Sequence, residues 1–197
     1  MYQACYHRAN LRAADNDIRG ALEDYKRTST LNPDYAPGWY NQANILFSTG
    51  QTAAAIESWT KTIRLKPDFY RAYNNRGAAY AELENFRDAE KDYRKCVRLN
   101  PKFAKAWDNL GWLQATCTDA AIRNPQEAIT SAQRACELTK FGEWSFIHTL
   151  AAAYAEAGDF TKAQELSARV EGMAPAEEKP AIKKLTELYR AGQTSRQ

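Results

Sequence analysis

Residues 70–103 read YRAYNNRGAAYAELENFRDAEKDYRKCVRLNPKF, and the landmarks of this stretch recur at a fixed step. Ala89, Tyr93 and Pro101 are matched 34 residues earlier by Ala55, Trp59 and Pro67, and 34 earlier again by Ala21, Tyr25 and Pro33. A period of this size marks a stacked repeat, in which each unit buries its apolar face against its neighbour. Units therefore begin at Tyr2, Ala36 and Tyr70. Each reads as a first helix, a short turn, a second helix and a Leu-x-Pro stop. Proline ends the second helix because it lacks an N–H and clashes with the preceding turn. Turn formers lie between the helices: Asp15-Asn16-Asp17, Gly50-Gln51 and Glu84-Asn85. In the second helices, Ala21/Tyr25/Thr28, Ala55/Trp59/Thr62 and Ala89/Tyr93/Cys96 are spaced i, i+4, i+7. That spacing sets a small residue, an aromatic and another small residue on one stripe.

Further along, the register breaks and is restored. A fourth unit opens with Trp107, Leu110 and Gly111, but its second-helix alanine is Ala128, five residues late. The extra residues fall in ATCTDAAIRNPQEA and end in Asn124-Pro125-Gln126-Glu127, which reads as a helix start: Asn as N-cap, then Pro at the first helical position. No proline closes this unit; Thr139-Lys140-Phe141-Gly142 breaks the chain instead. A fifth unit follows with Leu150, Ala151, Tyr154, Gly158, Phe160, Ala163 and Pro175. Beyond it, Pro180 to Ala191 reads as one more helix, with Ile182, Leu185, Leu188 and Tyr189 on one stripe and charges opposite. One apolar face and one charged face suit a terminal cap.

Composition narrows the function classes. Of 197 residues, 44% are hydrophobic and 26% charged, with a net charge of +3 spread along the helices. That balance argues against a dedicated nucleic-acid or anionic-membrane surface. No apolar run approaches the roughly 18 residues of a membrane span, and no secretory signal opens the chain. The four cysteines form no C-x-x-C pair, and Cys96, in the small-residue slot of its repeat, reads as a buried reduced thiol, so a cytoplasmic protein is the default. His7 and His148 lie far apart with no Ser/His/Asp or metal-spaced Cys/His set, and the carboxylates read as solvated helix charges. No catalytic residue, metal site or cofactor is expected.

Trp39, Ala43, Gly50, Ala55, Trp59 and Pro67 resemble the tetratricopeptide-repeat (TPR) pattern, as do Tyr73, Gly77, Tyr80, Phe86, Ala89, Tyr93 and Pro101. The resemblance spans essentially the whole chain. It implies an all-α superhelix, one solenoid domain over 1–197. The five helix-turn-helix units fall at about 2–35, 36–69, 70–103, 104–143 (with the insertion) and 144–177. A capping helix at about 180–191 and a short tail, 192–197, complete it. It also implies a non-catalytic scaffold that holds a protein or peptide segment in a concave groove. The alternative is self-association, or packing within a larger protein, through the N-terminal end.

In this family the first helices line the groove. Helical periodicity then makes Tyr6, Asn10, Tyr40, Asn41, Asn44, Phe47, Arg71, Asn74, Asn75, Lys105, Asn109, Trp112 and His148 the candidate binding residues. Asn41, Asn75 and Asn109 are one repeat apart and resemble the asparagine ladders of peptide-holding members. A carboxamide carries a donor and an acceptor and can pair with an extended backbone, or it can bridge neighbouring helices. The family's carboxylate clamp is a poor match. The corresponding slots read Tyr6, Asn10, Asn41, Arg71 and Asn75, or one unit later Tyr40, Asn44, Asn75, Lys105 and Asn109. Two of three cations are replaced in either register, and a carboxylate needs concentrated positive charge.

Overall fold

The structure, a computed structural model, describes residues 1–194; the last three residues of the expected tail lie outside the described residues. Among the described residues there are eleven helices and no strand. They are α1 (Tyr2–Ala14), α2 (Ile18–Leu31), α3 (Ala36–Ser48), α4 (Thr52–Leu65), α5 (Tyr70–Glu82), α6 (Phe86–Leu99), α7 (Ala104–Thr116), α8 (Pro125–Leu138), α9 (Trp144–Glu156), α10 (Phe160–Met173) and α11 (Lys179–Arg190). The chain divides into two compact units, Met1–Leu99 and a second beginning at Asn100. In the first, α1/α2, α3/α4 and α5/α6 pair as hairpins stacked in sequence; in the second, α7/α8 and α9/α10 pair and α11 packs on α10.

The repeated residues make repeated contacts. Trp39 Nε1 donates to the Pro33 carbonyl at 2.8 Å, Tyr73 Oη to that of Pro67 at 3.2 Å, and Trp107 Nε1 to that of Pro101 at 3.0 Å. The aromatic thus fastens each first helix to the stop before it, so both residues must keep the same step. Ala21, Ala55 and Ala89 are fully buried, and Tyr25, Trp59 and Tyr93 are at most 4% exposed beside them. Close approach is enforced by small residues: a Cβ on Gly77 would meet the Tyr93 ring at 2.9 Å, and one on Gly111 would meet Ala132 N at 3.0 Å.

Helix starts follow local chemistry. The side chains of Asp17, Asn124 and Asp159 accept from Gly20, Glu127 and Lys162 N–H and cap α2, α8 and α10. At the starts of α3 and α5 the cap position holds an aromatic, Tyr35 or Phe69, with no side-chain hydrogen bond. Their rings pack back on Tyr6 (centroids 5.2 Å apart) and Tyr40 (4.7 Å). The inter-helix turns need left-handed backbone, and Gly50 (φ 75°) and Gly158 (φ 84°) supply it, while Asn16 (φ 62°) and Glu84 (φ 57°) fill the same role without glycine's freedom.

One expectation is corrected. Not every carboxylate is solvated: Asp24, Asp92 and Asp108 are buried. Arg8 forks onto Asp24 at 2.6 and 2.7 Å, with Arg12 joining at 3.0 Å. Arg76 repeats the fork on Asp92 at 2.7 and 2.8 Å. Because two guanidinia face Asp24, the bond from Arg8 above all, its carboxyl is held below its usual value. Asp92 has the single guanidinium of Arg76, and there burial pushes the carboxyl up. The five-residue insertion folds inward. Cys117 and Ile122 are buried, and Arg123 donates to the Cys117 and Thr118 carbonyls at 2.8 and 3.0 Å while pairing with Glu156 at 3.4 Å.

All four cysteines are buried thiols outside any disulfide. Burial pushes the Cys96 and Cys136 thiols up to about 12, which leaves them un-nucleophilic. Among the described residues no helix is long and apolar enough to cross a membrane.

Candidate functional site

All but two of the expected groove residues, Phe47 and Arg71, fall into three clusters. In the first, the Asn41 carboxamide donates to Tyr6 Oη at 3.1 Å and Asn10 Oδ1 at 3.2 Å, and Asn10 Oδ1 also accepts from Tyr25 Oη at 2.7 Å. In the second, Asn75 donates to Tyr40 Oη at 3.2 Å and Asn44 Oδ1 at 3.0 Å, and Trp59 Nε1 donates to Asn44 Oδ1 at 3.2 Å. Asn74, buried, donates to Asn75 Oδ1 at 3.1 Å. Both N–H groups of Asn41 and Asn75 are therefore spent on bridging consecutive first helices. The pairing of a whole carboxamide with a peptide backbone is narrowed accordingly: these two side chains offer a partner acceptor oxygens, not donors.

Phe47 lies partly buried against Trp59, with ring centroids 5.6 Å apart, and belongs to the apolar core. Arg71 is exposed, its guanidinium over the Tyr70 ring at 5.6 Å, on the wall of a shallow recess shared with Lys66, Asp68 and Phe69. Neither joins the asparagine clusters.

The third cluster is a cavity of about 360 Å³ within the second unit, and it gathers Lys105, Asn109, Trp112 and His148. Its walls come from three helices. From α7 come Lys105, Asp108, Asn109 and Trp112, spaced 3, 1 and 3 along one face; from α9 come Trp144, Ser145, His148 and Thr149; and at α11 stand Glu178, Ala181, Ile182 and Leu185. The α11 wall was not among the expected site residues. Its apolar stripe reads equally as a cap, and sequence gives no sign that Ile182 also faces a cavity.

The polar groups of this cavity are unevenly satisfied. Thr149 Oγ1 donates to Asp108 Oδ1 at 2.6 Å, and Lys105 Nζ donates to Asp108 Oδ2 at 2.9 Å. The His148 ring packs on the Trp112 indole, centroids 5.4 Å apart and tilted by 32°. His148 Nε2 is buried and has no hydrogen-bond partner among the described residues. Burial lowers the His148 pKa below its usual 6.5, against the opposing charges of Asp108 and Glu178, so the ring is neutral at pH 7. Among the described residues no three His, Cys, Asp or Glu side chains are placed to hold a metal ion.

Comparison with known proteins agrees with this architecture. The family model described as "Tetratricopeptide repeat" matches residues 70–103, and one described as "TPR repeat" matches residues 43–84. A comparison with curated proteins finds no match. Among solved structures, the chain is similar to MamA from Desulfovibrio magneticus RS-1, with 18% identity over 87% of this chain and 94% of that one, and a TM-score of 0.76. A thermophilic TPR protein of Thermus thermophilus aligns with 97% of this chain and all of its own, at 18% identity and a TM-score of 0.67. YrrB, described as a TPR protein with an unusual peptide-binding site, shares 19% identity over 91% of this chain and 90% of its own, with a TM-score of 0.73. At these identities the likeness is one of fold.

Proposed function

The chain is a tetratricopeptide-repeat protein with an all-α solenoid fold, and on that premise we propose that it is a non-catalytic scaffold that captures a peptide segment of a partner protein. The capture surface lies in the second unit, on α7, α9 and α11. One observation carries this: the cavity there is ringed by indole, imidazole and aliphatic groups, with the polar side chains of Lys105, Asn109 and Glu178 among its lining. Binding sites are typically apolar concavities with a few convergent polar groups. Trp112, still 36% exposed, is the natural anchor, because a truncated tryptophan at an interface centre commonly costs about 2 kcal/mol or more.

Selection from a random peptide library tests the reading. Peptides enriched on the wild-type chain are expected to bind by calorimetry and to lose about ten-fold or more in affinity with Trp112→Ala. Absence of enrichment, or affinity indifferent to Trp112→Ala, would count against it. A concentration-dependent rise in sedimenting mass without added peptide would favour self-association instead.

A further inference from the structure

The cavity between α7, α9 and α11 carries unbalanced charge. Its ionisable lining is Lys105, Asp108, Glu178 and His148. Lys105 is committed to Asp108 at 2.9 Å, and the other Asp108 oxygen is taken by Thr149 at 2.6 Å. Glu178 is exposed and makes no ion pair with any described residue. With a neutral imidazole, one carboxylate charge is left over. Around it stand the Trp112 and Trp144 indoles and the His148 ring.

We propose that this cavity seats an arginine side chain of a partner peptide, its guanidinium lying on the Trp112 indole and donating to Glu178. The proposal rests on the peptide-capture reading above and specifies what that site recognises. A guanidinium is planar, stacks on aromatic faces and directs five N–H donors around its edge, so it can pair with a carboxylate while its face lies on an indole. Its aliphatic stem suits Ile182 and Leu185, which line the same cavity.

Other occupants fit less well. An acidic side chain would meet Glu178 with the only ammonium already neutralised by Asp108. A purely apolar one would cover the Glu178 carboxylate without giving it a partner, which is unfavourable. A lysine supplies charge but is a compact, strongly hydrated point donor with no plane to stack.

The test is a titration of the full ¹⁵N-labelled chain, following the Trp112 indole N–H and the His148 ring signals. The probes are four capped pentapeptides, Ala-Ala-X-Ala-Ala, with X as arginine, lysine, norleucine or glutamate. The arginine peptide is expected to shift both sets of signals and to bind about five-fold tighter than the norleucine and glutamate peptides, and more tightly than lysine. Glu178→Gln, at an exposed position that leaves the fold intact, is expected to erase most of that preference. If norleucine, glutamate or lysine binds as tightly as arginine, or if Glu178→Gln keeps the preference, arginine recognition is wrong while peptide capture stands. If no peptide moves either signal, both this proposal and capture at this cavity fall.

Discussion

The Asn75 carboxamide donates to Asn44 Oδ1 at 3.0 Å, joining the first helices of the second and third repeats. The same bond recurs one repeat earlier between Asn41 and Asn10, at 3.2 Å. These asparagines are therefore brackets between repeats, and the bracket is held from below by Trp59 Nε1 on Asn44 and Tyr25 Oη on Asn10. Asn75→Ala removes three bonds, to Asn44 and Tyr40 and from Asn74. At about 0.5–1.5 kcal/mol net for each, urea unfolding should report a loss of about 1.5–4.5 kcal/mol. A double-mutant cycle with Asn44→Ala should show positive coupling. Additive effects would mean that the two side chains do not support each other.

Arg76 and Asp92 form a deeper bond, their side chains 14% and 4% exposed. Removing only the guanidinium, as in Arg76→Met, strands a buried carboxylate and should cost about 3–5 kcal/mol. The double variant Arg76→Met/Asp92→Leu should recover most of this, because two apolar groups need no partner. Arg8→Met should cost less than Arg76→Met, since Arg8 is 53% exposed and Arg12 remains on Asp24. Equal losses for Arg8→Met and Arg76→Met by denaturant titration would contradict the ranking.

His148 links stability to pH. Its folded pKa is lowered by burial, with Asp108 on α7 and Glu178 beside α11 opposing and Lys105 facing the same cavity. As pH falls through about 6.5, the unfolded chain takes a proton at this residue before the folded chain does. Stability is thus full above that value and declines as pH drops toward the folded pKa. The melting temperature should fall between pH 7.5 and 5.5, and His148→Phe, which keeps the ring against Trp112, should flatten that slope. Asp24 acts in a different window. Its lowered pKa gives stability that is present above the ordinary carboxylate value and lost in stronger acid. An unchanged slope between pH 7.5 and 5.5 in His148→Phe would sink the assignment.

The parts of this fold that sequence reveals are those that repeat. Pro33, Pro67 and Pro101 keep step because each offers its carbonyl to the aromatic of the next first helix, a constraint that one repeat imposes on all. Asn124 is legible for a local reason: an N-cap acts within four residues, and its side chain accepts from Glu127 N–H as the spacing predicts. Burial of Asp24 is not legible, because it depends on Arg8, sixteen residues away on the facing helix. The candidate site divides along the same line. Lys105, Asn109, Trp112 and His148 follow from helical periodicity on α7 and α9, whereas Glu178, Ile182 and Leu185 enter only when α11 is folded against them. An apolar stripe tells which face is covered, not whether a cavity remains beneath it.

Glu84 and Gly50 occupy equivalent turns 34 residues apart, with φ of 57° and 75°. An L-residue in this region costs roughly 1–2 kcal/mol, and glycine's greater freedom in the unfolded chain offsets about 0.5–1 kcal/mol of what it would gain. Glu84 is exposed and makes no ion pair among the described residues, so Glu84→Gly removes strain without removing a contact. It should raise the unfolding free energy by about 0.5–1 kcal/mol. Gly50→Ala should lower it by a similar amount, and purely through backbone conformation, because nothing lies within 4 Å of the added Cβ. Each change acts on its own backbone torsion, so the double variant should come out near the wild type in urea midpoint. A destabilised Glu84→Gly would show that the glutamate side chain, not the left-handed backbone, governs this turn.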